Sequence, residues 1–186
     1  MILSTRFFRS FIFVALLALA LLPMACGSKP AQEDGEPSAS SEPAAQPHAN
    51  GLPPEQFFAE FGAMGYTTVI PWMDGGSNAW GASAHKQYDG NQINLMLSSN
   101  TQSRVDQIAL TAIVADGTMN PQMRETFETS VRTCFAGMEL KIPDAVVEAV
   151  RNETAYTGEA GRFSVHLTRN DGGNGGYMLA FSMNSQ

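Results

Sequence analysis

Apolar and polar positions alternate or recur along the chain in a way that predicts most of its elements from about residue 52 onward. Pro53-Pro54-Glu55 opens a helix in which Phe57, Phe58, Phe61 and Met64 fall along one side, with Gly65 placed as its cap. Tyr66 to Trp72 is β-branched and aromatic, and Met73 to Asn78 is a turn cluster, so a strand leads into a hairpin. Trp80–Tyr88 and Gln92–Ser98 flank Asp89-Gly90-Asn91, a hairpin signal because both turn positions tolerate positive φ. Ile93, Leu95 and Leu97 alternate with Asn94, Met96 and Ser98, which makes one face buried and the other wet. After a polar loop, Val105 to Val114 carries the stripe Ile108, Leu110, Ala112 and Val114.

The period then changes. Asn120-Pro121 starts a helix whose Met123, Phe127, Val131, Cys134 and Phe135 recur every three or four residues, and Gly137 is placed to end it. Arg124, Glu125, Glu128 and Arg132 fall outside, where Arg124–Glu128 and Glu128–Arg132 are spaced as solvated pairs worth a few tenths of a kcal/mol each, about 0.3. Pro143 to about Arg151 is a second helix, with Val146, Val147 and Val150 inward. Phe163–Thr168 and Tyr177–Met183 form a last hairpin around the tip Gly172–Gly176. The order is α-ββββ-αα-ββ: an α+β fold with an antiparallel sheet of about six strands and helices packed on one face.

The pattern before residue 52 is of another kind. Arg6 and Arg9 precede an unbroken apolar run from Phe11 to Leu22, the order of an export signal. Counted to Ala25 the apolar stretch is about 15 residues, short of the roughly 20 that span a bilayer. The ending Leu22-Pro23-Met24-Ala25-Cys26 resembles the lipobox of bacterial lipoproteins, with Pro23 and Met24 standing where the family has Leu and a small residue. That resemblance implies removal of residues 1–25 and acylation of Cys26, so the membrane is the first expected partner. Two or more acyl chains anchor stably, whereas one binds reversibly. Gly27, in place of the Asp that retains enterobacterial lipoproteins in the inner membrane, implies the outer membrane by the same resemblance. The alternatives are a soluble secreted product, cleaved at Ala18-Leu19-Ala20 within the apolar run, and an uncleaved anchor.

Residues 26–51 are rich in Pro, Ala, Ser and Glu and poor in branched apolar residues, and so read as a disordered tether. Fully extended it reaches about 75 to 80 Å; as a coil it averages roughly 30 Å. Residues 52–186 are then one α+β domain of roughly 135 residues, enough for a single core.

Charge and cysteine usage narrow the function. The formal net charge of −7 becomes −9 once Arg6 and Arg9 leave with the signal, which argues against nucleic acid and against docking on anionic head groups. Only Cys26 and Cys134 are present, and acylation of the first leaves the second without an intrachain partner. Cys134 reads as a small core residue, with a reactive thiol as the sharper alternative.

Candidate chemistry is sparse. His85 and His166 stand far apart with no ligand spacing around either, and His48 lies in the tether, so neither metal nor cofactor is expected. His166 reads as an exposed strand residue alongside Ser164 and Thr168. The Asp74–Asn78 and Asp171–Asn174 loops lack calcium spacing and read as turns. No catalytic residue stands out; Cys134 with His85 or His166 is the one thinkable pair. Trp72, Trp80 and Tyr88 either line a recognition surface on the open sheet face or pack beneath the first helix.

The expectation is a non-catalytic, membrane-anchored cell-envelope lipoprotein whose domain binds a protein or an envelope polymer. Its alternatives are a carrier or sensor of a small apolar ligand held between sheet and helices, and a thiol-dependent enzyme using Cys134.

Overall fold

A computed structural model describes residues 51–115 and 117–186. The signal, the lipobox with Cys26 and the tether up to Asn50 lie outside the described residues.

Three helices and seven strands follow in the order α1 (Pro54–Ala63), β1 (Thr67–Asp74), β2 (Trp80–Tyr88), β3 (Asn91–Ser99), β4 (Gln107–Val114), α2 (Pro121–Gly137), α3 (Asp144–Asn152), β5 (Tyr156–Ala160), β6 (Phe163–Asp171) and β7 (Tyr177–Ser185). All seven strands form one antiparallel sheet in the spatial order β1-β2-β3-β4-β7-β6-β5. The fold class and order are those read from the sequence, but the sheet has seven strands, not six. The missed strand, β5, is a five-residue edge strand with Gly158 at its centre and Glu159 exposed, too short and too polar to show an alternating stripe.

Two meanders, β1–β4 and β5–β7, meet at the β4–β7 ladder, where Leu110 faces Phe181 and Ala112 faces Leu179. β4 is therefore the middle strand. Register carries one apolar set across the sheet: Leu95, Leu110, Phe181 and Leu167 lie in one row, with successive pairs directly opposite. The three helices cover that face, α1 against β1, α2 across β3 and β4, and α3 over β5 and β6. Phe57, Phe61, Met123, Phe127, Phe135 and Val146 fill the space between the layers and are 0–1% exposed. At about 25 cal/mol per Å², burying each such side chain stabilises the fold by roughly 1.5–3 kcal/mol.

Local chemistry sets the ends. The Asn120 side chain accepts the Met123 amide at 2.8 Å, which satisfies one free N–H of α2, and Pro121 occupies the first helical turn. Asp89 and Gly90 have φ of 23° and 83°, so a two-residue turn joins Tyr88 to Asn91. α2 ends at Gly137, as its position suggests, but this residue does not turn the chain left-handed. It is helical, Met138 is the cap, and a side chain at 137 would collide with the Phe57 ring, so this glycine lets α1 approach α2. Leu52 adds a second tie there, donating its amide to the Gly137 carbonyl at 2.8 Å.

β1 is an edge strand exposed at seven of its eight positions. Two register shifts interrupt its pairing with β2, and Pro71 lies within the second. A bulged, proline-bearing edge is a poor template for another strand, which keeps the open side of β1 from extending the sheet.

Candidate functional site

Alternation along each strand sends every second side chain away from the helices, and among the described residues no helix covers that second face. Ser83, Met96, Ala109, Ser182, His166 and Thr157 form one row across it. A neighbouring row runs His85, Asn94, Thr111, Ala180 and Thr168. Among the described residues, six large hydrophobics are more than a third exposed: Met96 (63%), Val69 (58%), Met73 (49%), Ile70 (47%), Ile113 (37%) and Met178 (37%). Five of the six belong to this face by register, Val69 alone lying in a β1 bulge. No lysine or arginine stands among its paired positions, and Glu159 on edge strand β5 is the one carboxylate. In a chain of net charge −7, a face with a single charge at its edge and exposed Met and Ile is the strongest departure from an ordinary wet sheet.

The aromatics suspected of lining this face do not reach it. Trp80 pairs with buried Ser99 and projects to the helix side, and its ring stacks on Trp72 at 6.3 Å between centroids. Trp72 is buried and donates its indole N–H to the Gln102 carbonyl at 3.0 Å, so the β3–β4 loop, not the first helix, supplies its polar partner. Tyr88 is buried on the same side, with the Lys86 ammonium 5.6 Å from its ring centroid. Lys86 is itself fixed by donating to the Met64 carbonyl at 2.7 Å. The recognition-surface reading of these three residues is thereby corrected.

His85 and His166 both lie on the open face but on β2 and β6, four strand spacings or roughly 19 Å apart. Thr157 Oγ1 stands 3.4 Å from His166 Nδ1. Among the described residues no three His, Cys, Asp or Glu side chains cluster as a metal site would require. The two loops with oxygen ligands are turns: Asp74 accepts the Gly76 amide at 2.7 Å, and Asp171 binds Arg169 Nε at 2.9 Å.

Cys134 is fully buried on α2, on the other side of the sheet from both histidines. Burial pushes its thiol well above the ordinary value, so the nucleophilic thiolate is disfavoured. Maleimide is expected to leave Cys134 unmodified in the native protein and to label it only in denaturant. Intact mass checks this, and rapid labelling of the native state would restore the thiol-enzyme reading.

Polar chemistry gathers at three places, each a brace. At the β3–β4 loop, Asp106 accepts the Ser99 hydroxyl at 2.7 Å and the Asn100 amide at 3.3 Å, and meets Arg104 Nε at 2.7 Å. A polar hollow of about 380 Å³ adjoins it, lined in part by Asn100, Arg104 and Ser185. Burial raises the Asp106 carboxyl, but the Ser99 and Asn100 hydrogen bonds with Arg104 outweigh it and hold the group below its ordinary 3.8. Ser99 donates to a carboxylate and no histidine lines the hollow, so nothing there activates the hydroxyl.

The second brace is Glu128, held below its ordinary 4.5 first by hydrogen bonds from Arg151 and, against some desolvation, by Arg132. Arg132 Nη2 and Arg151 Nη2 reach it at 2.7 and 2.9 Å, tying α2 to α3. Arg124, expected to pair with Glu128, instead turns to Glu153 at 2.9 Å. Glu153, buried and left-handed at φ 53°, caps α3 and also binds Arg169 at 2.8 Å. This third brace continues into Tyr177, whose ring centroid lies 3.8 Å from the Arg169 guanidinium. Burial, helped by Glu153, pushes the Tyr177 hydroxyl up to about 12. A groove of about 480 Å³ runs beside Arg124, lined also by Met119, Pro121 and Glu128.

Because the folded values of Asp106 and Glu128 are depressed, their stabilisation is complete above the unfolded values of 3.8 and 4.5 and is lost as pH falls through the folded ones. Urea midpoints are expected to drop between about pH 5 and pH 3. Asp106→Asn, which is less stable at neutral pH, should show a shallower drop; an equal slope would remove Asp106 from the account.

The chain matches no protein-family model, no curated protein and no solved structure.

Proposed function

We propose that the chain is a lipid-anchored cell-envelope protein, held on the membrane through Cys26 and spaced from it by residues 26–51. On this reading its domain is a non-catalytic protein-binding module that works through the open sheet face. The observation that carries the binding part is that face: free of charge at its paired positions except for Glu159 on the β5 edge, and home to five exposed Met and Ile side chains. Depletion of charge and enrichment in Met are what distinguish the cores of protein interfaces. An anionic polymer would need cations, and a sugar chain would gain from exposed aromatic rings; Trp72, Trp80 and Tyr88 all turn the other way. Protein is therefore favoured over envelope polymer.

The small-ligand reading draws less support. Its cavity would lie between sheet and helices, where Phe127, Phe135, Phe181 and Leu110 pack together at 0–1% exposure. The thiol-enzyme reading has a buried thiol with no imidazole on its side of the sheet among the described residues.

The placement rests on the lipobox resemblance, with Gly27 favouring the outer membrane. Intact mass of protein from its native host is expected to show an acylated N-terminus at Cys26, and Cys26→Ala to release the domain from membranes. A mature chain with an unmodified thiol at 26 would overturn the anchor. Retention of every native cross-link by Met96→Glu would overturn the face.

A further inference from the structure

We propose that the partner of the open sheet face is a second copy of this chain, forming a closed, two-fold, face-to-face dimer about the middle strand. The inference rests on the protein-binding reading and adds the identity of the partner.

Size is the first argument. Seven strands about 4.8 Å apart, six of them eight or nine residues long and β5 five, make a face about 29 Å wide and up to about 29 Å long, roughly 800 Å², which is what each side of a stable interface contributes. Charge is the second. The chain carries net −7, so copies repel one another except where charge is absent, and the open face is free of it inside its β5 edge, where Glu159 stands.

Register supplies the third argument, because it makes the face complementary to itself. β4 is the fourth of seven strands, so a two-fold axis laid along it places β3 of one copy over β7 of the other and β2 over β6. Met96, Ala109 and Ser182 share one row. The operation therefore sets Met96, the most exposed of the large side chains, over Ser182, with Ala109 over Ala109. In the next rows Asn94 falls over Ala180, and Ile113 meets Ile113. A long knob meets a short residue, Ala109, Thr111 and Ile113 each meet their own copy on the axis, and no like charges are brought together. Packed sheets twist by about 30° relative to each other, so this matching governs the centre and relaxes toward the rim. There Met73 meets the stem of Glu159 with water at hand.

The geometry is closed. Each copy uses its one open face, whereas pairing the β1 edge of one copy with the β5 edge of the next would build an open-ended array, and β1 is interrupted by bulges and Pro71. A lipid anchor would also confine copies to one surface, and a tether averaging roughly 30 Å would let faces meet.

The test uses the full-length protein in its own membranes with a short bismaleimide. Ala109→Cys is expected to give a covalent dimer of twice the chain mass, and Ala136→Cys, exposed on the helix layer, to give little. Adding Met96→Glu to Ala109→Cys should cut the linked dimer on the order of tenfold or more, because two carboxylates are forced into an uncharged contact. Met96 is exposed, so that variant keeps its fold; Ile113→Lys replaces it should it not accumulate. Linking no faster at 109 than at 136, or indifference to Met96→Glu, would overturn the dimer. Linking at 109 to a chain of different mass would overturn self-pairing and leave the protein-binding reading standing. No link at 109 would overturn the dimer; because a maleimide finds only thiols, the protein-binding reading then falls only if Met96→Glu keeps every native cross-link.

Discussion

Phe135→Ala is expected to lower the unfolding free energy by about 3–5 kcal/mol, the usual cost of emptying a fully buried phenylalanine site. Phe135 is 1% exposed on α2, and its ring lies 6.1 Å from Phe181 on β7, so it packs the central helix against the strand that joins the two meanders. A domain of this size has about 5–15 kcal/mol in all, so the variant would sit near the edge of folding. The urea midpoint should fall with an unchanged slope, which separates lost stability from a changed denatured state. Phe135→Leu, which keeps most of the volume, should lose considerably less. A loss under about 1 kcal/mol for the alanine variant would mean that the layers close over the gap.

Glu153→Ala is the second large effect, expected to cost about 2 kcal/mol. Removing one member of a buried pair costs about 3–5 kcal/mol. Here Arg124 and Arg169 keep 46% and 36% exposure and rehydrate when released, so the full figure does not apply. Conformation can be separated from charge. Residue 153 is left-handed at φ 53°, so Glu153→Gly should recover about 1 kcal/mol relative to Glu153→Ala, since glycine has no β-carbon to strain there. Equal losses for the two would show that the ion pairs alone matter. Arg169→Lys should also destabilise, because a point ammonium cannot serve Glu153, Asp171 and the Tyr177 ring together.

How much of this was legible beforehand follows from the range over which each signal acts. Local signals reveal α1, α2, α3 and six strands: most have one largely apolar face, β1 is marked by its β-branched and aromatic residues, and the Asp89-Gly90 turn is encoded in adjacent residues. β5 escaped because an edge strand needs no stripe; Tyr156 and Thr157 were its only β-favouring residues before Gly158 and Glu159. Glu153 escaped because its partners come from 29 residues before and 16 after, a separation to which no periodicity points. The close approach at Gly137 escaped for the same reason: its neighbour Phe57 belongs to another helix. The Ser99–Asp106 clamp bridges only seven residues, and Ser, Asn, Arg and Asp crowded into a short β3–β4 loop were a usable sign of it. The open face was foreseen strand by strand from Asn94, Met96 and Ser98. That it stays free of charge from β1 to β6, with Glu159 alone on the β5 edge, needed the strand order, which no single strand contains.

Strand order also sets when the sheet becomes whole. The first four strands can zip as neighbours, but β5 and β6 have no place beside them until β7 is available to slot between β4 and β6. β7 is the keystone and follows every other strand in the chain, so nascent polypeptide lacking it remains two unfinished halves. A stop codon ahead of Tyr177 should therefore abolish the folded domain outright instead of trimming it. Where passage across a membrane demands a loose chain, such late completion would hold the polypeptide open until its final strand has been made.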